Sequence, residues 1–190
     1  MSLTEATSEV VNPQDVPGRR FNVGVVMYPD EVLSRVCAPL VEFGEAVVSL
    51  AKWFATVQKV HNARGIAAPQ VGIPARMFLF MDGAEHHVVV NPEIVETSVV
   101  RVDWEACLSI PGSKPGWPRA QVPRSTRVSL VGKTPEGDDF EFETEDALTA
   151  RAIQHEIDHL NGVLFVDYLS KLKRDRVNKK FSKAAKRAEE

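Results

Sequence analysis

Two histidines four positions apart, His155 and His159, enclose a glutamate in His155-Glu156-Ile157-Asp158-His159. On an α-helix, positions i and i+4 share one face, about 40° apart around the axis. Two imidazoles so placed can hold one metal ion. Glu156, one step round from His155, is near enough to hold a water and move its protons without being a ligand. The plainer alternative is a solvated acidic helix with incidental histidines. With five histidines in 190 residues, that coincidence is uncommon.

A catalytic centre needs a third ligand. His155-Glu156-x-x-His159-x-x-Gly162 follows the metzincin peptidase pattern as far as its glycine, but Phe165 stands where the third histidine belongs. No glutamate occurs between His159 and Glu189, so a downstream glutamate ligand is also missing. An upstream donor remains, and Cys107 in Trp104-Glu105-Ala106-Cys107-Leu108-Ser109-Ile110-Pro111 is the natural candidate. Two histidines and a thiolate would leave a tetrahedral ion one open position for water. Taken alone, a cysteine is more often a small buried apolar residue. Cys37, between Val36 and Ala38, has no acid or base beside it and reads as structural. With only two cysteines, distant in sequence, a reducing compartment is the expected setting.

The elements that must position these residues read as one α+β domain. Twenty-three Lys and Arg face 26 Asp and Glu, a net charge of −3, so no nucleic-acid footprint covers the whole chain and specific DNA binding is not expected. No apolar run reaches membrane-span length, and the start lacks the basic-then-apolar order of a secretory signal, so a cytoplasmic, monomeric protein is expected. Residues 1–20 read as a flexible polar lead, 21–170 as the catalytic domain and 171–190 as a helical tail. Apolar residues at three- and four-residue steps predict a helix over 42–61. Strand-like runs cover 77–81, 88–90, 94–102, 121–131 and 139–143, with turns at Asp82-Gly83, Asn91-Pro92 and Pro135-Glu136-Gly137. Glu145 and Asp146 then open the helix bearing the two histidines, and Asn161-Gly162 closes it. The expected architecture is a compact set of antiparallel or mixed sheets around a central metal-binding helix, flanked by an N-terminal and a C-terminal helix. Leu172, Val177 and Phe181 are the tail's apolar anchors.

A third segment, Gly65-Ile66-Ala67-Ala68-Pro69-Gln70-Val71-Gly72, combines small residues that permit close backbone approach with one amide side chain. It lacks the lysine and glycine spacing of a phosphate loop. Gly-x-Ala-Ala-x-Gln, then Glu-x-Cys-Leu-Ser, then Gln-His-Glu-x-Asp-His-Leu, in this order, closely resembles the peptide deformylase family over residues 23–170. The resemblance implies a metal-dependent hydrolase that removes the formyl group from the formylmethionine of new polypeptides, releasing formate. It implies Cys107, His155 and His159 as metal ligands and Glu156 as proton shuttle. Gln70 and the Leu108 N–H would donate to the formyl oxygen. Gly65 and Ile66 would bind substrate, alongside Cys107 and His155. The cofactor would be one Fe²⁺, replaceable by Zn²⁺, Ni²⁺ or Co²⁺. The partners would be N-formylmethionyl nascent peptides, with the basic run Lys171-Leu172-Lys173-Arg174-Asp175-Arg176 and Lys179-Lys180 a candidate contact to the ribosome near its exit tunnel. Such a run is otherwise an ordinary solvated helix face.

The chain departs from the family pattern at several positions. Ala63 and Ala106 replace usual glycines, and a positive φ at either would cost roughly 1–2 kcal/mol. Residues 112–122 form a longer connection carrying Trp117, and Arg64, Asp103 and Arg151 fall near positions that face the methionine side chain in relatives. These departures leave a second reading, a deformylase-fold amidohydrolase acting on another N-formyl or N-acyl amine. Glu105 and Arg124 are expected to pair and steady the ligand strand.

Overall fold

The computed structural model describes residues 24–110 and 119–188, with the side chains of the last helix described as far as Lys179. The expected lead over 1–20 and the expected role of Trp117 lie outside the described residues, as does the side chain of Phe181.

Among the described residues, seven strands form two antiparallel sheets: β1 (Gly65–Ala67), β2 (Met77–Asp82), β3 (Glu85–Thr97), β4 (Val100–Glu105), β5 (Ala120–Ser125), β6 (Val128–Lys133) and β7 (Asp139–Thr144). The larger sheet has the order β1-β2-β3-β6-β7, and β4 pairs with β5 in a separate ribbon. The α-helices among the described residues are α1 (Glu45–His61), α2 (Ala147–Leu160) and α3 (Lys171–Ala188).

The apolar run of β2 does not alternate with polar residues because both of its faces are covered. Met77 and Leu79 join Val47, Leu50, Phe54 and Val57 of α1 in one core. Phe78 and Phe80 point the other way and meet Ala150, Ile153 and Leu160 of α2. A third core lies under the β4–β5 ribbon, where Ile110, Val122, Leu164 and Phe165 surround Cys107. Fully burying a phenylalanine or leucine contributes about 1.5–3 kcal/mol, whereas an exposed ion pair such as Lys133–Asp139 contributes about 0–1. Sandwiching between layers, not surface charge, therefore holds α2 and its histidines in place.

Local signals explain the ends of α2. Asp146 caps its start, its carboxylate accepting from the N–H groups of Leu148 and Thr149 at 3.3 Å each. Gly162, with φ +70°, turns the chain away after Asn161. A Cβ on Gly162 would meet the Ser34 carbonyl carbon at 2.8 Å, so close approach as well as conformation requires glycine there.

Several expectations need correction. Helix α1 begins at Glu45 and not at 42, because Gly44 takes φ +138° at its N-cap. Val60 follows the helical apolar period yet is 58% exposed. Asn91-Pro92 is not a turn but an irregularity within β3, which runs unbroken from Glu85 to Thr97. The pairing register with β6 shifts between Val90 and Glu93, so the missing proline N–H breaks no ladder. Asn91 instead grips Leu40, accepting from its N–H at 2.8 Å and donating to its carbonyl at 2.7 Å. The run over 94–102 divides between β3 and β4. The run over 121–131 breaks at Thr126-Arg127 into β5 and β6, which belong to different sheets. Residues 120–122, read as part of a long connection, lie in β5. In the tail, Val177 packs against the third core, whereas Leu172 is 64% exposed and anchors nothing. No helix among the described residues is long and apolar enough to cross a membrane.

Candidate metal centre

Three elements from distant parts of the chain converge on one point. Helix α2 contributes His155 and His159, whose rings meet edge-on with centroids 4.9 Å apart. The chain leaving β4 contributes Cys107, which sits in a turn just past the strand and not within one. Its backbone carbonyl accepts from Ile110 N–H at 3.2 Å, and this turn aims the thiol at the helix. Cys107 Sγ lies 3.2 Å from His159 Nε2, and potential ligand atoms of Cys107, His155 and His159 all lie within 4.8 Å of one another. Two nitrogens and a sulfur, largely shielded from solvent, are a donor set suited to zinc or iron.

Of the three candidate ligands, His155 is oriented by a second partner. His155 Nδ1 is 3.1 Å from Glu105 Oε2, which leaves Nε2 to face the centre. Arg124 grips the same carboxylate with two bonds, Nε to Oε1 at 2.8 Å and Nη2 to Oε2 at 3.1 Å, so the expected Glu105–Arg124 pair is present. Arg124 also reaches Asp158 Oδ2 at 2.7 Å, and its guanidinium lies 5.0 Å above the Tyr168 ring. Burial raises the Glu105 carboxyl, but hydrogen bonds from His155 and Arg124 outweigh it and hold the group at about 2. Burial, helped by the charges of His155 and Arg124, holds the His159 imidazole well below its usual range, in the neutral form that a metal ligand requires. Glu105→Gln would leave Arg124 buried and half-paired and would loosen His155. Metal affinity is expected to fall about 10–100-fold, measured by competition with a chromophoric chelator. Unchanged affinity would mean that Glu105 does not steady the ligand.

Glu156 projects from α2 beside this cluster. Burial raises its carboxyl to about 7, the largest influence on it. Its Oε2 is buried and has no hydrogen-bond partner among the described residues, nor has His159 Nδ1. An orphaned, buried carboxylate oxygen next to three soft donors fits a site that receives a metal and its water. Gly65 makes room for it: a Cβ on Gly65 would lie 2.8 Å from Cγ and Cδ of Glu156.

The opposite wall is built by β1 and the short 3₁₀ turn Ala68–Val71. Gln70 is 2% exposed. Its Oε1 accepts from Ala67 N–H at 2.9 Å, which turns Nε2 towards Cys107 Sγ at 3.5 Å and Ser109 Oγ at 3.3 Å. Leu108 N–H has no protein acceptor among the described residues. Strand β1 lies at the edge of the large sheet. The Arg64 carbonyl accepts from Met81 N–H, and hydrogen-bonded pairs alternate along antiparallel strands. The backbone groups of Gly65 therefore face the outer edge, while those of Ile66 face Leu79 of β2. The Ile66 side chain is fully buried in the first core.

The family departures resolve simply. Among the described residues only Asn62 and Asn91 have positive φ without being glycine, so neither Ala63 nor Ala106 is strained. Asn62 takes the left-handed position that closes α1, and Gln58 clasps Ala63 from both sides. Arg151 pairs with Asp103 at 3.4 Å and lies 3.5 Å from Glu105. The sequence reading does not place His155, Arg151 or Asp158 around the Glu105–Arg124 pair. Only the i, i+4 and i, i+3 spacings of Arg151, His155 and Asp158 on α2 hint at it.

A fold with one buried Cys-His-His cluster, a carboxylate at its side and amide donors opposite defines a hydrolase of the single-metal type. The model of the polypeptide deformylase family matches residues 23–175. A peptide deformylase of Afipia carboxidovorans is 44% identical over 172 residues, covering 86% of this chain and 96% of that protein. The crystal structure of a peptide deformylase from Legionella pneumophila superposes with a TM-score of 0.77 at 35% identity, covering 85% of this chain and 94% of that one. That of the Thermus thermophilus enzyme gives 0.72 at 34%, covering 87% and 93%. The chain belongs to the peptide deformylase family. It is a hydrolase, and the reaction is removal of the N-formyl group from new polypeptides.

Proposed function

We propose that the chain deformylates N-formylmethionyl nascent peptides in the cytoplasm as a monomer, with Cys107, His155 and His159 holding one Fe²⁺. The observation that carries this reading is the convergence of those three donors with the orphaned Glu156 carboxylate. The bound cation supplies Lewis acidity and makes a water acidic enough to deprotonate near neutrality.

The substrate peptide lies along the outer edge of β1 as an added strand, held by the Gly65 backbone, while Ile66 keeps that edge in register from the core side. Gln70 Nε2 and Leu108 N–H donate to the formyl oxygen as charge builds on it, each worth on the order of 2.7–4 kcal/mol. Because Ala67 N–H already fixes the Gln70 amide, no reorganisation is needed at that moment. Glu156 takes one proton from the attacking water. The water oxygen bonds to the formyl carbon, the carbon–nitrogen bond breaks, and Glu156 returns the proton to the departing amine. The products are formate and a free N-terminus.

The deciding test is formate release from formyl-Met-Ala-Ser by protein loaded anaerobically with iron, beside zinc-loaded protein. The reading expects turnover in both, faster with iron and lost on exposure to air as Cys107 or the metal oxidises. An iron form no faster than the zinc form would remove iron as the native metal. Absence of turnover in both would remove the deformylase reading. The basic face of α3 is the proposed ribosome contact: Lys171, Lys173, Arg176 and Lys179 are exposed, while Val177 holds the helix to the body.

A further inference from the structure

We infer that Tyr168 is a positioning residue of this centre. Its hydroxyl, acting through Asp158 and Arg124, fixes how Glu105 holds His155, and on the deformylase reading above it thereby sets kcat.

Tyr168 ends the short 3₁₀ turn Phe165–Tyr168, which lies between α2 and α3. The residue is 44% exposed, yet its hydroxyl meets an ion pair. The hydroxyl donates to Asp158, with Oδ2 at 3.0 Å and Oδ1 at 3.2 Å, and accepts from Arg124 Nη1 at 3.3 Å. The turn that carries it is anchored. Phe165 and Val166 are buried in the third core, the one that contains Cys107. Asp167 accepts from the Leu164 N–H at 2.9 Å and from Arg174 Nη1 at 3.2 Å. The hydroxyl therefore stands at a fixed point beside α2.

The Arg124 side chain is 4% exposed and serves two carboxylates. Nε and Nη2 hold Glu105, whose Oε2 faces His155 Nδ1, while Nη1 lies 2.7 Å from Asp158 Oδ2. A guanidinium is a rigid plane, so Nη1 cannot shift towards Asp158 without tilting Nε and Nη2 on Glu105. A buried ion pair holds well only when further hydrogen bonds satisfy its remaining lone pairs and protons. Tyr168 does both, taking a proton bond from Nη1 and giving its own to Asp158. It thus limits the pull of Asp158 within the guanidinium plane. The ring, with its centroid 5.0 Å from the guanidinium carbon, limits movement out of that plane. Without the hydroxyl, Asp158 draws Nη1 in alone, Glu105 turns with the guanidinium, and His155 loses its alignment. His159 is off this path, since its Nδ1 has no hydrogen-bond partner among the described residues.

Tyr168→Phe keeps the ring and removes only the hydroxyl. Zinc affinity, measured by competition with a chromophoric chelator, is expected to fall about 3–10-fold. That is less than for Glu105→Gln, because the hydroxyl reaches Glu105 only through Arg124. In zinc-loaded protein labelled with ¹⁵N-histidine, the Nδ1 proton that His155 shares with Glu105 should resonate far downfield. It should move upfield in Tyr168→Phe while the His159 signals stay in place. With nickel-loaded protein and formyl-Met-Ala-Ser, kcat should fall by a similar factor at unchanged KM. In an Asp158→Asn background, Tyr168→Phe should change kcat and affinity by about twofold or less, because its partner carboxylate is already gone.

A lower thermal midpoint with affinity, the His155 proton signal and kcat all unmoved would make Tyr168 a purely structural residue and overturn the inference alone. So would an undiminished effect in the Asp158→Asn background. A parent protein that binds zinc or nickel but releases no formate from formyl-Met-Ala-Ser would overturn the deformylase reading, while the affinity and the proton signal would still decide the role of Tyr168.

Discussion

Glu156→Gln should lower kcat by about 10²–10⁴-fold while leaving one metal bound per chain. Glutamine has nearly the same size and still fits against Gly65, where there is no spare room, so the packing that positions His155 and His159 survives. What is lost is the proton traffic: an amide can neither take a proton from water nor hand one to the leaving amine. The deficit should appear in kcat much more than in KM, because the proposed reading has the substrate strand held by β1 and not by Glu156. The same substitution should not destabilise the metal-free protein. Burial already disfavours the charged carboxyl, raising it to about 7, and Oε2 has no partner to lose. The thermal midpoint of metal-stripped Glu156→Gln at pH 8 is therefore expected at or above the parent's. A large loss of bound metal, or full activity in the variant, would show that Glu156 is not the proton carrier.

Cys107→Ser should abolish turnover by a different route, through loss of the metal. A serine hydroxyl does not ionise near neutral pH, so the cluster would keep two imidazoles and no anionic donor. Affinity should fall by more than the 10–100-fold expected for Glu105→Gln, whose carboxylate only orients a ligand. Dialysis against a weak chelator followed by metal analysis reads this directly: parent protein near one equivalent, Cys107→Ser near none. The fold should survive, because Cys107 lies in a turn of the third core that Ile110, Val122 and Phe165 fill independently. Retention of a full equivalent by Cys107→Ser would mean that the metal is held without the thiolate. Cys37→Ser makes a useful contrast. Cys37 is buried against Leu160, its thiol pushed up to about 11 by burial, and neither metal content nor turnover should depend on it.

The large effects expected at Glu156 and Cys107 both follow from a geometry that the sequence foretold only in part. Spacing within one helix was readable because α-helical geometry turns sequence separation into direction. His155, Glu156 and His159 could thus be assigned to one side of a helix, and Asp146 and Gly162 to its ends, without knowing what α2 packs against. The absence of a third histidine at Phe165 was equally readable, and it pointed upstream to Cys107. The antiparallel strands were legible as apolar runs, but their breaks were not. Asn91-Pro92 has turn chemistry, yet β3 passes straight through it because Asn91 is held by Leu40, a partner 51 residues away.

Tertiary structure alone decided how the site is supported. That Arg124 on β5 grips Glu105 on β4 while also reaching Asp158 on α2 depends on the ribbon folding over the helix. No periodicity encodes such a contact. The value of Gly65 likewise emerged only when β1 came to lie against Glu156, where a Cβ has no space. The resemblance alone puts Arg151 near the methionine side chain of relatives; its place between Asp103 and Glu105 appears only when β4 docks on α2. The sequence by itself determined which side chains could do chemistry, because local geometry is short-ranged and periodic. Only the fold decided which distant groups orient them, because those contacts arise from packing one layer on another.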